Sequence, residues 1–137
     1  MNYYETFIQV APDCPVTAAV VPVSKADKPT IPALEYELLS NHPYTYTQEE
    51  VLFEVQIRRL ALPAIERQAN RQQLWDEFFA KPHPCLRASP LAKKYGWGFH
   101  FDKEGKIKLV PMEGKEYSKF SKSKNLQQLF AMRSKRP

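Results

Sequence analysis

Glycine and cysteine are scarce in this chain of 137 residues, which contains four glycines and two cysteines. Neither GxxxxGK[ST] nor GxGxxG occurs, so the phosphate-binding loops that are most readily recognised from sequence are missing. Cys14 and Cys85 form no CxxC pair and have no histidine at zinc-ligand spacing. These absences argue against a disulfide framework and a structural zinc site, and we expect no metal or cofactor.

Long apolar runs are also missing. The most apolar stretch, residues 16–23, is interrupted by Thr17 and Pro22 and falls far short of the ~20 residues that span a bilayer. The first ten residues lack the basic region and apolar run of a signal peptide. We therefore expect a cytoplasmic protein with no membrane partner.

The composition is typical of a globular domain, with 43% hydrophobic and 12% aromatic residues. A chain of this length favours a single domain, residues 1–137. The charges are unevenly distributed: residues 1–80 contain six Lys/Arg and eleven Asp/Glu, whereas residues 81–137 contain fourteen and four, giving net charges of −5 and +10. The basic half can attract an anionic partner such as nucleic acid, or pack beside the acidic half.

The clearest local signals lie in residues 81–111. Ser89 and Pro90 predict the start of a short helix, residues 90–95, because serine caps a first turn and proline lacks the N–H that would be unpaired there. The period then changes to two, which predicts a strand with Trp97, Phe99 and Phe101 on one face and His100 on the other. A turn at Gly105 and a return strand, residues 106–111, complete a β-hairpin whose outer face carries His100 and lysines.

Other segments give weaker signals. Two strands are predicted, residues 6–10 and residues 16–23, and Thr47 with Glu50 forms a capping box before a helix over residues 48–61. Residues 48–61 also alternate like a strand, so both interpretations remain open. The capping box favours the helix. We predict further helices over residues 31–40 after Thr30, 71–80 after Asn70 and 126–133 after Asn125. Residues 63–69 are a connection or the frayed start of a helix, and residues 133–137 form a mobile basic tail.

These elements predict an α+β fold, in which a small, mainly antiparallel sheet containing the hairpin packs against three to four helices.

The sequence also resembles a family of small, uncharacterised, mostly bacterial proteins, a domain of unknown function. The similarity is spread along the chain, at Thr6-Phe7-Ile8, Asp13-Cys14-Pro15, Val21-Pro22-Val23-Ser24, Tyr36-Glu37-Leu38-Leu39, His42-Pro43-Tyr44, Tyr46-Thr47, Leu52-Phe53-Glu54-Val55, Phe78-Phe79, Lys81-Pro82, Cys85 to Leu91, Lys94-Tyr95-Gly96-Trp97-Gly98, His100 and Met132 to Arg136. The resemblance implies no activity and supplies no catalytic residues.

Five polar residues form the candidate ligand or anion site: Cys85, Arg87, Ser89, Lys94 and His100. A thiol near Arg87 and a helix start could ionise more readily, and a nearby imidazole could act as its base. The alternative is plainly structural, with Cys85 as a buried inert residue and His100 as a half-exposed strand residue.

Two functions remain open. The first is a non-enzymatic binding or interaction module whose basic surface, residues 87–124, meets an anionic partner. The second is a small enzyme or small-molecule-binding protein that uses the five residues. A homo-oligomer is compatible with both, and the lack of a recognised catalytic motif favours the non-enzymatic interpretation.

Overall fold

The computed structural model describes residues 2–23, 29–60 and 62–134. Within them are four strands, β1 (Thr6–Gln9), β2 (Trp97–Phe101), β3 (Ile107–Pro111) and β4 (Gln127–Phe130). The same residues form six α-helices, α1 (Ile31–Asn41), α2 (Gln48–Leu60), α3 (Ala64–Ala69), α4 (Arg71–Phe79), α5 (Pro90–Lys93) and α6 (Lys115–Ser121), and one 3₁₀ turn, Leu86–Ala88.

The four strands form one sheet in the order β3-β2-β1-β4. The pairs β2–β3 and β1–β2 are antiparallel, whereas β1 and β4 are parallel. The α+β class and the hairpin formed by β2 and β3 are therefore confirmed, with a mixed sheet and more helices than the three to four expected. Gly105 turns the hairpin at a φ of +80°, a left-handed conformation that glycine adopts readily.

The sheet is covered on both faces, and the side chains of β2 alternate between the two faces as its sequence predicts. Phe99 and Phe101 are buried in the main core, together with residues of α1, α2 and α5. On the opposite face, α6 lays Tyr117 and Phe120 against Phe7, with ring centroids 5.0 and 5.7 Å apart. The face that we expected to be exterior is thus a second, smaller packing layer.

The helix starts follow their local signals. The side chain of Thr30 accepts a hydrogen bond from Ala33 N and begins α1. At α2 the capping box is complete, because Glu50 N donates to Thr47 Oγ1 over 3.4 Å and Thr47 N donates to Glu50 Oε1 over 3.0 Å. The strand alternative for this segment is therefore wrong.

The period-two pattern in α2 has a simple cause. Val51 and Val55 lie on one side of the helix and join the main core. Phe53 is also fully buried, but it packs against Trp75 of α4, with ring centroids 4.9 Å apart. A helix that is buried on two sides shows apolar residues on both, and the two stripes together imitate the alternation of a strand.

Three predicted elements are wrong. Residues 16–23 contain no strand; Val20 N donates to Tyr95 O and Trp97 Nε1 donates to Val20 O, single bonds that replace a ladder in a segment interrupted by proline. Residues 64–69, expected to be a connection or the frayed start of a helix, form a separate helix, α3. Residues 127–130 form β4 instead of a helix, since β1 offers a parallel partner along four residues.

One further detail differs from the prediction, and another is left untested. Asn70 precedes α4 without a side-chain capping bond. The proposed basic tail lies partly outside the described residues, at 135–137, while Ser134 N donates to Asp13 Oδ2 over 2.9 Å.

The outer edge of β3 is covered by the loop that precedes α2. Tyr44 N donates to Ile107 O over 2.8 Å, and Ile107 N donates to Tyr46 O over 3.0 Å. A bridge between Thr47 and Lys106 extends this pairing. Tyr44 has a φ of 55°, a left-handed conformation that is uncommon for a residue with a side chain.

Gly98 sets how closely α6 approaches the sheet. A Cβ added there would lie 2.9 Å from the ring of Phe7 and 3.0 Å from the ring of Tyr117. We expect Gly98→Ala to lower the free energy of unfolding by about 1–3 kcal/mol through overpacking, as measured by urea denaturation. In a Phe7→Leu background the same change should cost less, because the closest ring atoms are gone.

The control for this prediction is Gly114→Ala, whose added Cβ would come no closer than 3.3 Å to Pro111. It should cost less than Gly98→Ala. Equal costs for Gly98→Ala with and without the Phe7 ring would contradict the proposed contact.

Candidate functional site

An irregular segment, residues 80–89, connects α4 to α5 and is fixed by hydrogen bonds to distant parts of the chain. His83 stacks on Phe78, with ring centroids 3.7 Å apart, and its Nε2 donates to Phe78 O over 2.6 Å. Leu86 N donates to the buried Oε1 of Gln48 over 2.9 Å. These bonds hold the segment against α4 and α2 although it has little regular structure of its own.

The segment ends at a buried pair of polar side chains. Ser89 Oγ donates to Glu35 Oε1 over 2.7 Å, and it accepts a hydrogen bond from Leu91 N over 3.2 Å. Because the serine oxygen already accepts the backbone proton, its own hydroxyl proton is directed to the carboxyl group. Glu35 is 3% exposed and Ser89 is 5% exposed.

These two residues line a cavity of about 520 Å³. Its walls come from α1, α2, α4 and the connecting segment, and they are mainly apolar, including Leu52, Phe53, Val55, Ile57, Leu74 and Phe78. The polar and charged lining residues differ in exposure. Glu35 and Ser89 are buried, whereas Arg59, Glu77 and Lys81 are exposed. The cavity therefore has a polar floor, apolar walls and charged groups at its mouth.

The electrostatics of Glu35 follow from this burial. Removal from water disfavours the ionised carboxylate and raises the pKa of Glu35 from 4.5 to about 7, and the hydrogen bond from Ser89 opposes part of this increase. The group can consequently exchange a proton near neutral pH. Such a carboxyl group inside a cavity is typical of ligand-binding and catalytic sites, although ion pairs in ordinary structure also perturb pKa values.

Two of the five residues that we predicted as a site line this cavity, Cys85 and Ser89. Cys85 is half-buried, and its Sγ accepts a hydrogen bond from Tyr3 Oη over 3.4 Å. Burial and the neighbouring Cys85 raise the pKa of Tyr3 to about 12, so the phenol stays neutral and keeps its proton for the thiol.

The other three predicted residues lie elsewhere. Arg87 Nε donates to Phe130 O over 2.8 Å, and Met132 N donates to Arg87 O over 2.8 Å, so this residue connects the segment to β4. Lys94 is exposed at the end of α5. In the part of the chain that the structure describes, the lining of the cavity does not include Arg87, Lys94 or His100.

His100 lies on the sheet face that α6 covers. Its ring stacks on Phe120, with centroids 4.0 Å apart, and its Nδ1 is 2.7 Å from the hydroxyl group of Tyr44. Burial lowers the pKa of His100, with the carboxylates of Asp102 and Glu116 opposing this effect. It cannot serve as a base for Cys85 across the sheet.

The lysines of the basic half are divided between the two sides of the sheet. Lys94 follows α5, which joins the main core, whereas Lys115 and Lys119 belong to α6 on the opposite face. Lys108 forms an ion pair with Glu116 over 2.9 Å, and Lys106 forms one with Glu104 over 3.4 Å.

Glu35 was missed by reasoning from the sequence, although a signal exists. It follows Leu34 and precedes Leu38 and Leu39 on α1, at helical spacing within the apolar stripe. A carboxylate inside an apolar stripe predicts a buried charge that needs a partner. The partner, Ser89, lies 54 positions further along the chain, and the pattern does not indicate which residue it is.

The residues that the structure describes contain no group of three or more His, Cys, Asp or Glu side chains that could hold a metal ion. In the same residues, no helix is long and apolar enough to cross a membrane.

Together, the fold and the site define a small α+β protein with a mainly apolar cavity and one buried carboxyl group at its floor. Residues 1–137 match the family model described as a family of unknown function, DUF6157, and the chain belongs to that family. No curated protein and no solved structure matches it.

The pKa of Glu35 makes the stability of the fold depend on pH. Between 4.5 and about 7 the unfolded chain has released this proton while the folded chain retains it. Since the folded state then binds more protons, the free energy of unfolding should fall as the pH rises through this interval and level off above it. The linkage amounts to about 3 kcal/mol.

We expect Glu35→Gln to remove this decline, so that the variant gains stability relative to the original chain as the pH increases from 5 to 8. Urea denaturation at several pH values measures the difference, in which other titrating groups cancel. Glu37→Gln, an exposed neighbour on α1, is the matched control. Parallel pH profiles for the Glu35 variant and the original chain would contradict the assignment.

Proposed function

We propose that this protein binds a small, largely apolar organic molecule in the cavity that α1, α2, α4 and the connecting segment surround. The observation that carries the proposal is the cavity of about 520 Å³ with Glu35 and Ser89 at its floor. Small-molecule sites commonly occupy about 300–1,000 Å³, with mainly apolar walls and few polar groups that fix orientation.

The walls and the floor have different roles in this proposal. Side chains such as Leu52, Val55 and Leu74 remove water from the apolar body of the ligand, which supplies most of the binding free energy. The carboxyl group of Glu35 selects the end of the ligand that enters first, because a buried polar group left without a partner is costly. Binding thus combines apolar affinity with one oriented polar contact.

A basic surface for an anionic partner is the second candidate, and the net charge of +10 over residues 81–137 supports it. A continuous cationic surface is less favoured, because the lysines of α5 and α6 belong to opposite sides of the sheet and two others pair with glutamates. Binding to nucleic acid that weakens as salt increases would support this candidate.

The cavity proposal predicts saturable binding of an uncharged apolar dye, N-phenyl-1-naphthylamine, whose fluorescence increases away from water. Two variants fill the cavity from different walls, Ala88→Phe in the connecting segment and Leu74→Trp in α4. Each should weaken dye binding at least about tenfold, because the added side chain occupies the space of the dye. Fluorescence titration measures the change.

The matched control is Ala80→Phe, the same substitution at an exposed position outside the cavity lining. It should bind the dye like the original chain, and circular dichroism should show that each variant is folded. Failure of the original chain to bind the dye, or unchanged binding by folded variants, would overturn the proposal.

A further inference from the structure

The carboxyl group of Glu35 has a hydrogen-bond donor but no positive partner among the residues that the structure describes. Within residues 2–23, 29–60 and 62–134, Ser89 is the residue that bonds to it, and no lysine, arginine or histidine forms an ion pair with it. Buried carboxylates in proteins are normally paired with a cation or a metal, since an isolated charge is costly in an apolar environment. A buried carboxyl group without a counter-ion either stays protonated, as burial favours for Glu35, or takes its counter-ion from a bound molecule.

The position of the carboxyl group indicates where a counter-ion can come from. Glu35 lines the cavity, and Ser89 occupies its Oε1, so a ligand can approach the remaining oxygen from the cavity side. The surrounding walls are mainly apolar, and an ion pair formed there is stronger than one in water.

We propose that the molecule bound in the cavity carries a positively charged nitrogen, and that the carboxylate of Glu35 is its counter-ion. The ligand class is a small amine with an apolar body, whose nitrogen reaches Glu35 while the body packs between α2 and α4. This inference rests on the proposed function, because it names the ligand of the same cavity.

The alternative contact is a neutral ligand that accepts a hydrogen bond from the protonated carboxyl group. The amine is favoured because hydrogen bonds between ionised partners are roughly twice as strong as neutral ones. With a pKa of about 7 for Glu35, the ionised form is available at neutral pH, so pairing with a cation requires little rearrangement of protons.

Other titratable groups at the cavity do not take the place of Glu35. Arg59, Glu77 and Lys81 are exposed, where water and salt screen their charges. His83 and Cys85 also line the cavity, and both already take part in hydrogen bonds, to Phe78 O and from Tyr3 respectively. The two cations at the mouth would instead favour an anionic ligand, which the experiment includes.

The test compares three probes with the same eight-carbon chain, octylamine, octanol and octanoate, as competitors of the bound dye. Octylamine, which stays protonated like lysine below about pH 10, should bind about tenfold more tightly than octanol at pH 8. The advantage should shrink at pH 5.5, where Glu35 is protonated. Glu35→Gln should abolish it while octanol binding is retained, and Glu37→Gln should leave it unchanged.

The pH comparison on the original chain keeps the test decisive even if Glu35→Gln does not fold. Where Glu35→Gln does fold, any pH dependence contributed by the other lining groups remains in that variant and can be subtracted. Octanol or octanoate binding at least as tightly as octylamine would overturn the amine proposal, as would an amine advantage that persists without the carboxyl group. If the dye itself does not bind, the proposed function fails, and this outcome is distinct from failure of the amine proposal alone.

Discussion

The hydrogen bond from Ser89 to Glu35 is the interaction on which the candidate site depends. It joins α1 to a segment 54 residues further along the chain, and both partners are withdrawn from water. Without the serine hydroxyl, a buried carboxyl group would lose its donor, which costs more than the bond itself contributes. Because the connecting segment has so little regular structure, the shape of the cavity is determined by a few polar bonds of this kind rather than by close contact of long helices.

Much of the fold could be predicted because its signals are local. The capping box joins Thr47 and Glu50, three residues apart, and the hairpin turn needs only Gly105 in the right place. The errors occur where distant partners decide. Residues 127–130 become a strand because β1 offers them a parallel partner. Residues 16–23 do not, since nearby prolines remove donors and single bonds to Tyr95 and Trp97 hold the segment instead.

The site was only partly predictable for the same reason. Cys85 and Ser89 share a short segment, so their proximity in the sequence survives in three dimensions. His100 is farther along the chain, and the alternation of β2 turns it to the other face of the sheet, where it contacts Phe120. Glu35 belongs to a different helix, and no local pattern connects it to Ser89. The charge asymmetry of the sequence likewise does not produce one basic surface, because the lysines of α5 and α6 lie on opposite sides of the sheet.

The left-handed conformation of Tyr44 has a consequence for how the protein behaves at high concentration. By turning the chain back along β3, it satisfies the N–H and C=O groups of Ile107 that would otherwise project from the sheet. Exposed strand edges are templates on which a second molecule can add its own strand, and a covering loop is one way to prevent this growth. The left-handed tyrosine therefore protects one side of the hairpin from pairing with the strand of a second molecule.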